Sequence, residues 1–492
     1  MIVTLDPNSL EDYRLFLKIK SLPAYRIIGR QAEFSSEYAD RIFEQGELVS
    51  EHVDYEPPSW AFDYQRDITR MAIAKRKYCL FVDCGFGKTA IILEFAKHAL
   101  TVMGGRRSVL IVSPLMVIRQ TIAEAAKFYS DYPIQQIHAA GLQDWLATGV
   151  GIGITNYEAI TPDLDRGNIG ALILDESSNL KSAYGKWGTK LISMGRGLEW
   201  KLSATGTPAP NDRIEYANQA VFMDAFPTIN SFLARFFVNR GQTQERWALK
   251  PHALRPFYRA LSHWSIFMTN PSTYGWHDNA ETIPPIHIHI GHVPMTDEQK
   301  KLAFKTHERL FADRIGGITN RSVLAQIAKG SHKGKRVPTN KPKAIRELIN
   351  SWPEESTLIW CKYNEEQKIL EETLPNAGSI TGATSFDKRE QILDAFLSGK
   401  NRVLISKPKI LGFGLNLQCA TRQIFSSCED SYEAFYQAVK RSNRVGSKYP
   451  LNVHIPVTDI ERIQMDNVLD KADRVHADTV EQEQLFREVS RG

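Results

Sequence analysis

Short apolar runs alternate with helix-like segments over two long stretches of the sequence. The first stretch contains the runs YCLFVD (78–83), SVLIVSP (108–114), GIGITNY (151–157), ALILDE (171–176) and WKLSAT (200–205). The second contains STLIWCKY (356–363), GSIT (378–381), RVLISK (402–407), RQIFSS (422–427) and LNVHIPV (451–457). Alternating strands and helices are typical of parallel α/β units, and apolar runs suit strands buried on both faces. The pattern therefore predicts an α/β fold with two parallel-sheet lobes.

The regions outside these stretches set the expected domain boundaries. We expect a small N-terminal accessory segment over 1–55, lobe 1 over 56–225, a helical insertion over 226–285 and lobe 2 over 286–492. The insertion is rich in aromatic residues, which we interpret as helices that project from lobe 1. Its run Phe232–Phe237 is expected to pack in a helical core, with base stacking as the alternative. Two such lobes imply a ligand-binding cleft between them.

The composition is that of an ordinary globular protein, with 42% hydrophobic residues, 24% charged residues and a net charge of +5. The five cysteines form no CxxC pair, which favours a reducing, intracellular setting without structural zinc. No apolar run has the length of a membrane span, so we expect a cytoplasmic protein. The segment 329–343 concentrates Lys and Arg without an acid. It is a solvated linker, a loop that contacts phosphates or a flexible joint.

A glycine-containing loop joins the first predicted strand to a helix in YCLFVDCGFGKTAIILEF. Gly85 and Gly87 would let backbone amides approach phosphate oxygens. Lys88 is expected to neutralise the terminal phosphates, and Thr89 is expected to hold magnesium. The full GxxxxGK[ST] pattern is not met, because Val82 stands where its first glycine belongs. The strand before the loop and the helix after it nevertheless favour a phosphate-binding loop.

Two adjacent carboxylates, Asp175 and Glu176, end an apolar run in ALILDESSNLKS. An exposed pair that caps the next helix is the simplest interpretation of this stretch alone. Two acids at a strand end repel each other, however, unless a cation lies beside them. In phosphate-loop ATPases a second strand delivers the Asp associated with magnesium, and an adjacent Glu can activate the attacking water. With the phosphate loop, the pair indicates a nucleoside triphosphatase in which Asp175 faces the metal and Glu176 faces the water.

In order and spacing, these motifs resemble those of the superfamily-two helicase-type ATPases, specifically the Swi/Snf-like DNA translocases. The resemblance extends over roughly residues 64–447 and implies two RecA-like lobes that use ATP and Mg²⁺. DYQRD places Tyr64 and Gln65 where the family's glutamine recognises adenine. DCGFGKT resembles the family's phosphate loop, which explains the missing first glycine. DESSNLK resembles the family's acidic box, with Ser-Ser in place of the commoner Ala-His.

The remaining family motifs lie in both predicted lobes. LSATGTPAPND contains Thr205, Gly206 and Thr207, which by the resemblance link the ATP site to the nucleic-acid side. GFGLNLQ resembles motif five of the family and adds Gly414 and Asn416 to the expected nucleotide-binding residues.

Motif six of the family is matched by QAVKRSNRVG, which contains Arg441 and Arg444. Residues three apart on a predicted helix share a face, so both guanidinium groups are expected to reach the γ-phosphate across the cleft. Such arginines stabilise the charge that spreads over phosphoryl oxygens in the transition state. The chain departs from the family at Ser447, in place of a glutamine, and at Pro408, in place of a small polar residue. The chain is similar to compact motors encoded by bacteriophages, for which the expected location is the host-cell cytoplasm.

Two sets of residues are weaker candidates. The residues expected by resemblance to contact nucleic acid are Ser113, Pro114, Asn156, Thr205, Gly206 and Thr207. In IHIHIGH, His287, His289 and His292 have a spacing that could bind zinc. A solvent-facing strand edge is the favoured interpretation, because no acid or cysteine nearby completes a ligand set.

The sequence therefore predicts an ATP-dependent DNA translocase or helicase of Swi/Snf-like type, which moves along or remodels duplex or branched DNA. Two alternatives stay open: a single-strand DNA or RNA helicase, and an ATP-switched clamp or assembly factor that binds DNA without moving. We expect a monomer without a membrane partner, and residues 1–55 are the candidate contact for a protein partner.

Overall fold

The computed structural model describes residues 1–488, with gaps at 8, 21, 23, 43–54, 181–185, 210–211, 242–246, 278–282, 314–316, 412–414, 428–431 and 463–481. The chain divides into two compact units, one of Met1–Asp278 with Thr479–Gly492 and one of Asn279–Asp478. In the described part of the chain, no helix combines the length and the hydropathy that a membrane crossing requires.

The first unit begins with a small antiparallel sheet. Its elements are β1 (Ile2–Thr4), α1 (Leu10–Lys20), β2 (Tyr25–Ile28), β3 (Gln31–Phe34) and α2 (Ala39–Ile42). The strands have the spatial order β1-β3-β2. Ile19, Phe34 and Tyr38 are among the buried residues of a core that is separate from the main core of the unit. The N-terminal segment therefore folds around apolar residues of its own.

A seven-stranded sheet forms the body of the first unit. The elements in this part are α3 (Asp63–Lys75), β4 (Lys77–Val82), α4 (Lys88–Val102), β5 (Ser108–Ser113), α5 (Leu115–Phe128), β6 (Ile134–Gln136), α6 (Leu142–Thr148), β7 (Ile152–Asn156), β8 (Ile169–Asp175), α7 (Lys186–Gly195), β9 (Trp200–Thr205), α8 (Tyr216–Phe222), α9 (Ile229–Phe236), β10 (Phe237–Asn239), β11 (Trp247–Leu249), α10 (Leu254–Trp264) and β12 (Ser265–Met268). The sheet has the order β12-β4-β9-β8-β5-β7-β6, and every neighbouring pair is parallel. The strands β10 and β11 form a separate antiparallel pair.

The apolar runs predicted as strands form the middle of this sheet. Strands β5 and β8 are buried along their whole lengths, as expected for strands covered on both faces. The order β4-β9-β8-β5 brings four carboxyl ends side by side, and ligands of parallel sheets bind at that edge. The α/β prediction for lobe 1 is confirmed.

The aromatic segment after α8 packs into the main core of the first unit. Phe232, Phe236 and Phe257 are buried in the same core as Phe81 of β4, so the core interpretation of the run Phe232–Phe237 is confirmed. The structure differs from the predicted insertion at its end, because β12 joins the sheet as the edge strand beside β4. A strand of four residues inside an aromatic-rich helical segment is too short for its periodicity to be recognised.

The second unit contains a six-stranded parallel sheet. Its elements are β13 (Ile286–His292), α11 (Asp297–Asp313), α12 (Gly317–Ala328), β14 (Ser331–His332), β15 (Lys335–Arg336), α13 (Lys341–Ser351), β16 (Thr357–Trp360), α14 (Asn364–Thr373), β17 (Gly378–Ser379), α15 (Phe386–Leu397), β18 (Val403–Ser406), α16 (Pro408–Leu411), β19 (Arg422–Phe425), α17 (Tyr432–Val439) and β20 (Leu451–Val457). The sheet order is β13-β20-β19-β16-β18-β17, again parallel throughout. The prediction of a second parallel-sheet lobe is confirmed.

The histidine-containing strand β13 lies at the edge of this sheet and is largely exposed. The ring of His289 stacks on His454 at 4.6 Å and hydrogen-bonds Asn452 at 3.1 Å. His292 lies 2.8 Å from a carboxylate oxygen of Asp459. The strand-edge interpretation of IHIHIGH is confirmed.

The end of the chain returns to the first unit as a helical segment at 482–488. The carboxylate of Glu483 accepts hydrogen bonds from the amide of Thr269 at 3.2 Å and the hydroxyl of Thr273 at 2.8 Å. Phe486 is buried in the main core of the first unit. These contacts attach the segment to residues that follow β12.

Candidate functional site

The loop between β4 and α4 has the backbone of a phosphate-binding loop. Gly85 has a φ of 95° and Gly87 has a φ of 67°. Residues other than glycine rarely adopt such values. A Cβ atom at Gly87 would lie 2.3 Å from Nε2 of Gln65, so any other residue there would displace the Gln65 side chain and strain the backbone. Because α4 begins at Lys88, the amides of its first turn point toward the loop, where an anion is favoured.

Two residues of α3 contact the loop between β4 and α4 and support its conformation. Gln65 is buried, and its Nε2 donates to the carbonyl oxygens of Phe86 at 3.4 Å and Gly87 at 3.3 Å. Its Oε1 accepts from the amide of Phe62 at 3.0 Å. The buried ring of Tyr64 meets that of Phe86 edge to face at 6.1 Å. In this structure both residues position the phosphate loop, and their recognition of adenine stays a prediction.

The side chain of Lys88 folds back over the loop. Its ammonium donates to the carbonyl oxygens of Val82 at 3.0 Å and Asp83 at 3.3 Å. Its charge is close enough to Asp175 to lower the pKa of that carboxyl group. The structure thus brings the predicted lysine and the predicted metal ligand into one electrostatic site. Thr89 follows on the first turn of α4.

The two predicted carboxylates are buried at the end of β8. Asp175 is 7% exposed and Glu176 is 4% exposed, and Glu176 has a φ of 50°, a value uncommon outside glycine. The Asp175 carboxylate accepts hydrogen bonds from the hydroxyl of Ser113 and from the amide of Glu176, each at 3.0 Å. The hydroxyl of Tyr157 donates to the backbone oxygen of Asp175 at 2.8 Å. An exposed helix-capping pair does not describe this arrangement.

Burial and the neighbouring charge of Glu176 raise the pKa of Asp175 to about 6, although Ser113 and Lys88 act in the opposite direction. The pair therefore carries more negative charge than its buried surroundings favour. A divalent cation would relieve this excess, so the residues present fit a magnesium ion.

The sequence predicts a nucleic-acid contact for Ser113, but the structure places it in the carboxylate site. The residue is fully buried at the end of β5, next to β8, and its hydroxyl holds Asp175. Sequence reasoning missed this role and that of Tyr157. The available signal was a polar residue at the carboxyl end of a buried strand.

The strand between the two halves of the site also contacts the phosphate loop. Thr205 ends β9 and is fully buried, and its hydroxyl accepts from the amide of Thr207 at 3.1 Å. A Cβ atom at Gly206 would lie 3.0 Å from Sγ of Cys84 in the loop. A movement of the turn after β9 would therefore displace the phosphate loop, and a movement of the loop would displace the turn.

The other predicted nucleic-acid residues lie at the same edge of the sheet. Asn156 is the register partner of Ser113 at the ends of β7 and β5, and Pro114 immediately precedes α5. The side-chain Nδ2 of Asn156 donates to the carboxylate of Glu158 at 2.8 Å. Pro114 and Asn156 are partly exposed, and their nucleic-acid role stays a prediction.

In the second unit, the residues of motifs five and six contact each other. The guanidinium group of Arg444 donates to the carbonyl oxygen of Leu415 at 3.3 Å, and Nε2 of Gln418 donates to that of Val445 at 2.8 Å. Nε of the buried Arg441 donates to the carbonyl oxygen of Gln437 at 3.0 Å. Asn416 accepts from the amide of Gln418 at 3.2 Å. Gly414 lies outside the described residues.

The prediction that Arg441 and Arg444 share a helix face is wrong, because α17 ends at Val439. The hydroxyl of Ser447 accepts from the amide of Arg444 and donates to the carbonyl oxygen of Ser442. Such side-chain bonds to the backbone compete with the helical pattern. Both arginines lie on the turn that follows the helix, and their approach to a nucleotide stays a prediction.

The first unit has a loop with the backbone of a phosphate-binding loop and a buried acidic pair at one edge of a parallel sheet, an arrangement typical of phosphate-loop nucleotide-binding proteins. Comparison with known proteins makes the class more specific. Residues 340–446 match the helicase conserved C-terminal domain.

The chain is similar to several helicases and to one phage protein. It is 32% identical over 133 residues to the ATP-dependent helicase fft1 of Schizosaccharomyces pombe, over 26% of this chain and 14% of the relative. It is 21% identical over 77% of its length to a mouse SWI/SNF-related regulator of chromatin, subfamily A member 1, of which it covers 39%. It is 21% identical over 80% of its length to the putative protein p41 of Acyrthosiphon pisum secondary endosymbiont phage 1, of which it covers 91%.

These similarities confirm the resemblance to Swi/Snf-type helicases and to a compact phage protein. The chain spans only 14% and 39% of the two eukaryotic relatives, so it corresponds to a part of each.

Proposed function

We propose that the chain hydrolyses ATP and uses the energy to move along, or to remodel, duplex or branched DNA. The observation that carries this proposal is the arrangement at the edge of the first sheet. There, the phosphate loop after β4 and the buried Asp175–Glu176 pair after β8 lie on either side of β9. A lysine, the amides of a helix N-terminus and a carboxylate that can bind a metal ion, all at one place, favour an anionic ligand with a bound cation over a neutral ligand.

In this proposal each residue of the first unit has one task. The amides of Gly85 and Gly87 and the ammonium of Lys88 hold the phosphates, and Thr89 and Asp175 hold Mg²⁺. The ion, when bound, neutralises charge on the phosphate oxygens and orients them. Ser113 fixes the carboxylate of Asp175 by its hydrogen bond.

Glu176 accepts a proton from the attacking water. Its position supports this role, because it adjoins Asp175 and is held by an uncommon backbone conformation. Gln65 and Tyr64 recognise adenine, and their contacts with Phe86 and Gly87 would transmit that recognition to the loop.

The second unit supplies Arg441 and Arg444, which stabilise the charge on the transferred phosphoryl group when the lobes close. Gly414 and Asn416 complete the nucleotide site in the same proposal. The contact between Arg444 and Leu415 supports a shared movement of motifs five and six. Hydrolysis is then coupled to lobe closure, and closure to a step along DNA.

Duplex DNA is the proposed track, because the compared proteins include a SWI/SNF-related regulator of chromatin. Pro114, Asn156, Gly206 and Thr207 are the proposed DNA contacts of the first unit, and the buried Thr205 would orient Thr207 through its hydrogen bond. We further propose that the protein is a monomer. The similarity to a phage protein supports a second proposal, that the protein acts in the cytoplasm of a phage-infected cell. A protein partner would dock on residues 1–55.

The test measures ATP hydrolysis by the full chain without nucleic acid and with duplex DNA, branched DNA, single-stranded DNA or RNA. Stimulation by duplex or branched DNA above the other ligands is the expected result. Stimulation by RNA or single strands alone would replace the proposal by the helicase alternative. ATP-dependent displacement of a protein bound to the DNA separates a translocase from a clamp, which would leave the protein in place.

A further inference from the structure

The basic segment 329–343 contains a β-hairpin. Strands β14 and β15 pair Ser331 with Arg336 and His332 with Lys335, which leaves a two-residue turn. Lys333 and Gly334 form the turn with φ values of 48° and 75°. Positive φ at both central residues is the signature of a type I′ turn, whose twist matches that of a hairpin. The solvated-linker interpretation of this segment is therefore wrong for residues 331–336.

A buried ionic cluster fixes the base of the hairpin. The ammonium of Lys341 donates to both oxygens of the Glu461 carboxylate at 2.9 Å, and that of Lys329 lies 3.2 Å away from the same carboxylate. All three side chains are almost fully buried. The amide of Val337 donates to the carbonyl oxygen of Gly330 at 2.9 Å and closes the ladder beyond the strands.

This cluster joins the hairpin to the carboxyl edge of the second sheet. Lys341 donates to the backbone oxygen of Ser426, just after β19, at 2.6 Å. The carboxylate of Glu461 accepts from the amide and the hydroxyl of Thr458, just after β20, at 3.1 and 2.9 Å. Ligands of parallel α/β sheets bind at this edge. The hairpin therefore lies next to the edge of the second sheet at which a ligand is expected.

The free charge of the hairpin is concentrated at its tip. Arg336 is paired through both terminal nitrogens with Glu372 of α14, which neutralises it and braces one strand. Lys333 and Lys335 are exposed, and neither has an ion-pair partner within the described part of the chain. Two lysines on a braced hairpin lose less conformational freedom on binding than lysines on an open linker.

We propose that the tip of this hairpin, through Lys333 and Lys335, contacts the phosphate backbone of DNA outside the helicase motifs. The inference rests on the proposed function, because it names an additional contact with the same DNA. Phosphate contacts by lysine position a protein on DNA without reading sequence, so the tip would add affinity for any duplex. This contact would also keep the second unit bound to DNA during the part of the ATP hydrolysis cycle in which the other DNA contacts are released.

The turn geometry allows the charges to be removed without loss of the hairpin. Asn-Gly is the preferred pair of a type I′ turn, so Lys333→Asn removes a charge and keeps the turn. The test variant is the double substitution Lys333→Asn/Lys335→Gln. The matched control is Lys388→Gln/Lys400→Gln, which removes two exposed lysines of the same unit, one on α15 and one in the loop before β18.

The experiment measures the affinity of the full chain for duplex DNA as a function of salt, together with ATP hydrolysis without DNA and thermal unfolding. Each lost phosphate contact should reduce the slope of log affinity against log salt by about 0.9. The test variant is expected to bind roughly tenfold more weakly at low salt, with a slope lower by about 2, for every duplex sequence. Its basal hydrolysis and unfolding temperature should match those of the wild type.

A salt slope that equals that of the control variant would overturn the inference and leave the proposed function intact. In that case a hairpin contact with an acidic protein surface would explain the charges better. Failure of the wild type itself to bind DNA would instead refute the proposed function. The two failures are distinguishable because the first is a difference between variants and the second concerns the parent chain.

Discussion

The most quantitative prediction concerns Glu461 at the base of the hairpin. Burial alone would raise the pKa of this carboxyl group, but Lys341 and Lys329 lower it from the ordinary 4.5 to about 2. At about 1.4 kcal/mol per pH unit, the difference corresponds to roughly 3 kcal/mol of stability for the second unit. A lowered pKa means that this stability is present above pH 4.5 and is lost as the pH falls toward 2.

Glu461→Gln should remove this stability at neutral pH and leave two lysines buried without their counter-ion. Loss of one partner of a buried ion pair costs about 3–5 kcal/mol, which agrees with the figure from the pKa. Hydrogen exchange measured by mass spectrometry reports the effect locally, at residues 329–341 and 457–462. Exchange there should be about a hundredfold faster at pH 7, because each 1.4 kcal/mol is a factor of ten.

The matched control is Glu347→Gln, which breaks an exposed pair with Lys343 on α13 and should change exchange by less than threefold. The advantage of the wild type over Glu461→Gln should shrink as the pH falls below 4.5. An unchanged exchange rate at pH 7, or a difference that persists undiminished at pH 2.5, would show that the ion pair of Glu461 does not stabilise the second unit.

Two further predictions concern the nucleotide site. Gly87→Ala should abolish ATP binding measured by calorimetry, because the added methyl group would lie 2.3 Å from Gln65. The control is Gly104→Ala, where φ is 60° but an added Cβ atom would have no neighbour within 4 Å. This control variant should bind ATP normally. Equal loss in both variants would mean that backbone strain, and not the contact with Gln65, is responsible. Asp175→Asn should raise the free energy of unfolding of the first unit by up to roughly 3 kcal/mol at pH 8 in EDTA, because burial and Glu176 raise the pKa of Asp175 to about 6 and disfavour its ionised form. Denaturant unfolding would show it, and a less stable variant would contradict the electrostatic account.

The parts of the fold that depend on local pattern were predictable. The strands Trp200–Thr205 and Leu451–Val457 have the same bounds in the structure as in the sequence, because an apolar residue recurs at every second position of both runs. The phosphate loop and the carboxylate pair were recognised for a similar reason, since their chemistry needs fixed residue types at fixed positions next to a strand end.

The parts that depend on distant residues were not predictable. The hairpin base requires an ion pair between Lys341 and Glu461, which lie 120 residues apart in the chain. The role of Ser113 depends on the spatial order of β5 and β8, which no local pattern encodes. In each case tertiary contacts decide between conformations that the local sequence permits equally.

In the proposed function, Glu176 serves an ATP hydrolysis that duplex DNA stimulates. The most direct measurement is the rate of ATP hydrolysis by the wild type, by Glu176→Gln and by the exposed control Glu298→Gln, with and without duplex DNA, alongside ATP binding by each. We expect duplex DNA to stimulate ATP hydrolysis by the wild type and by the control. Glu176→Gln should bind ATP but turn it over at least about a hundredfold more slowly. Turnover by Glu176→Gln at the rate of the control, or a wild type indifferent to DNA, would contradict the proposed function.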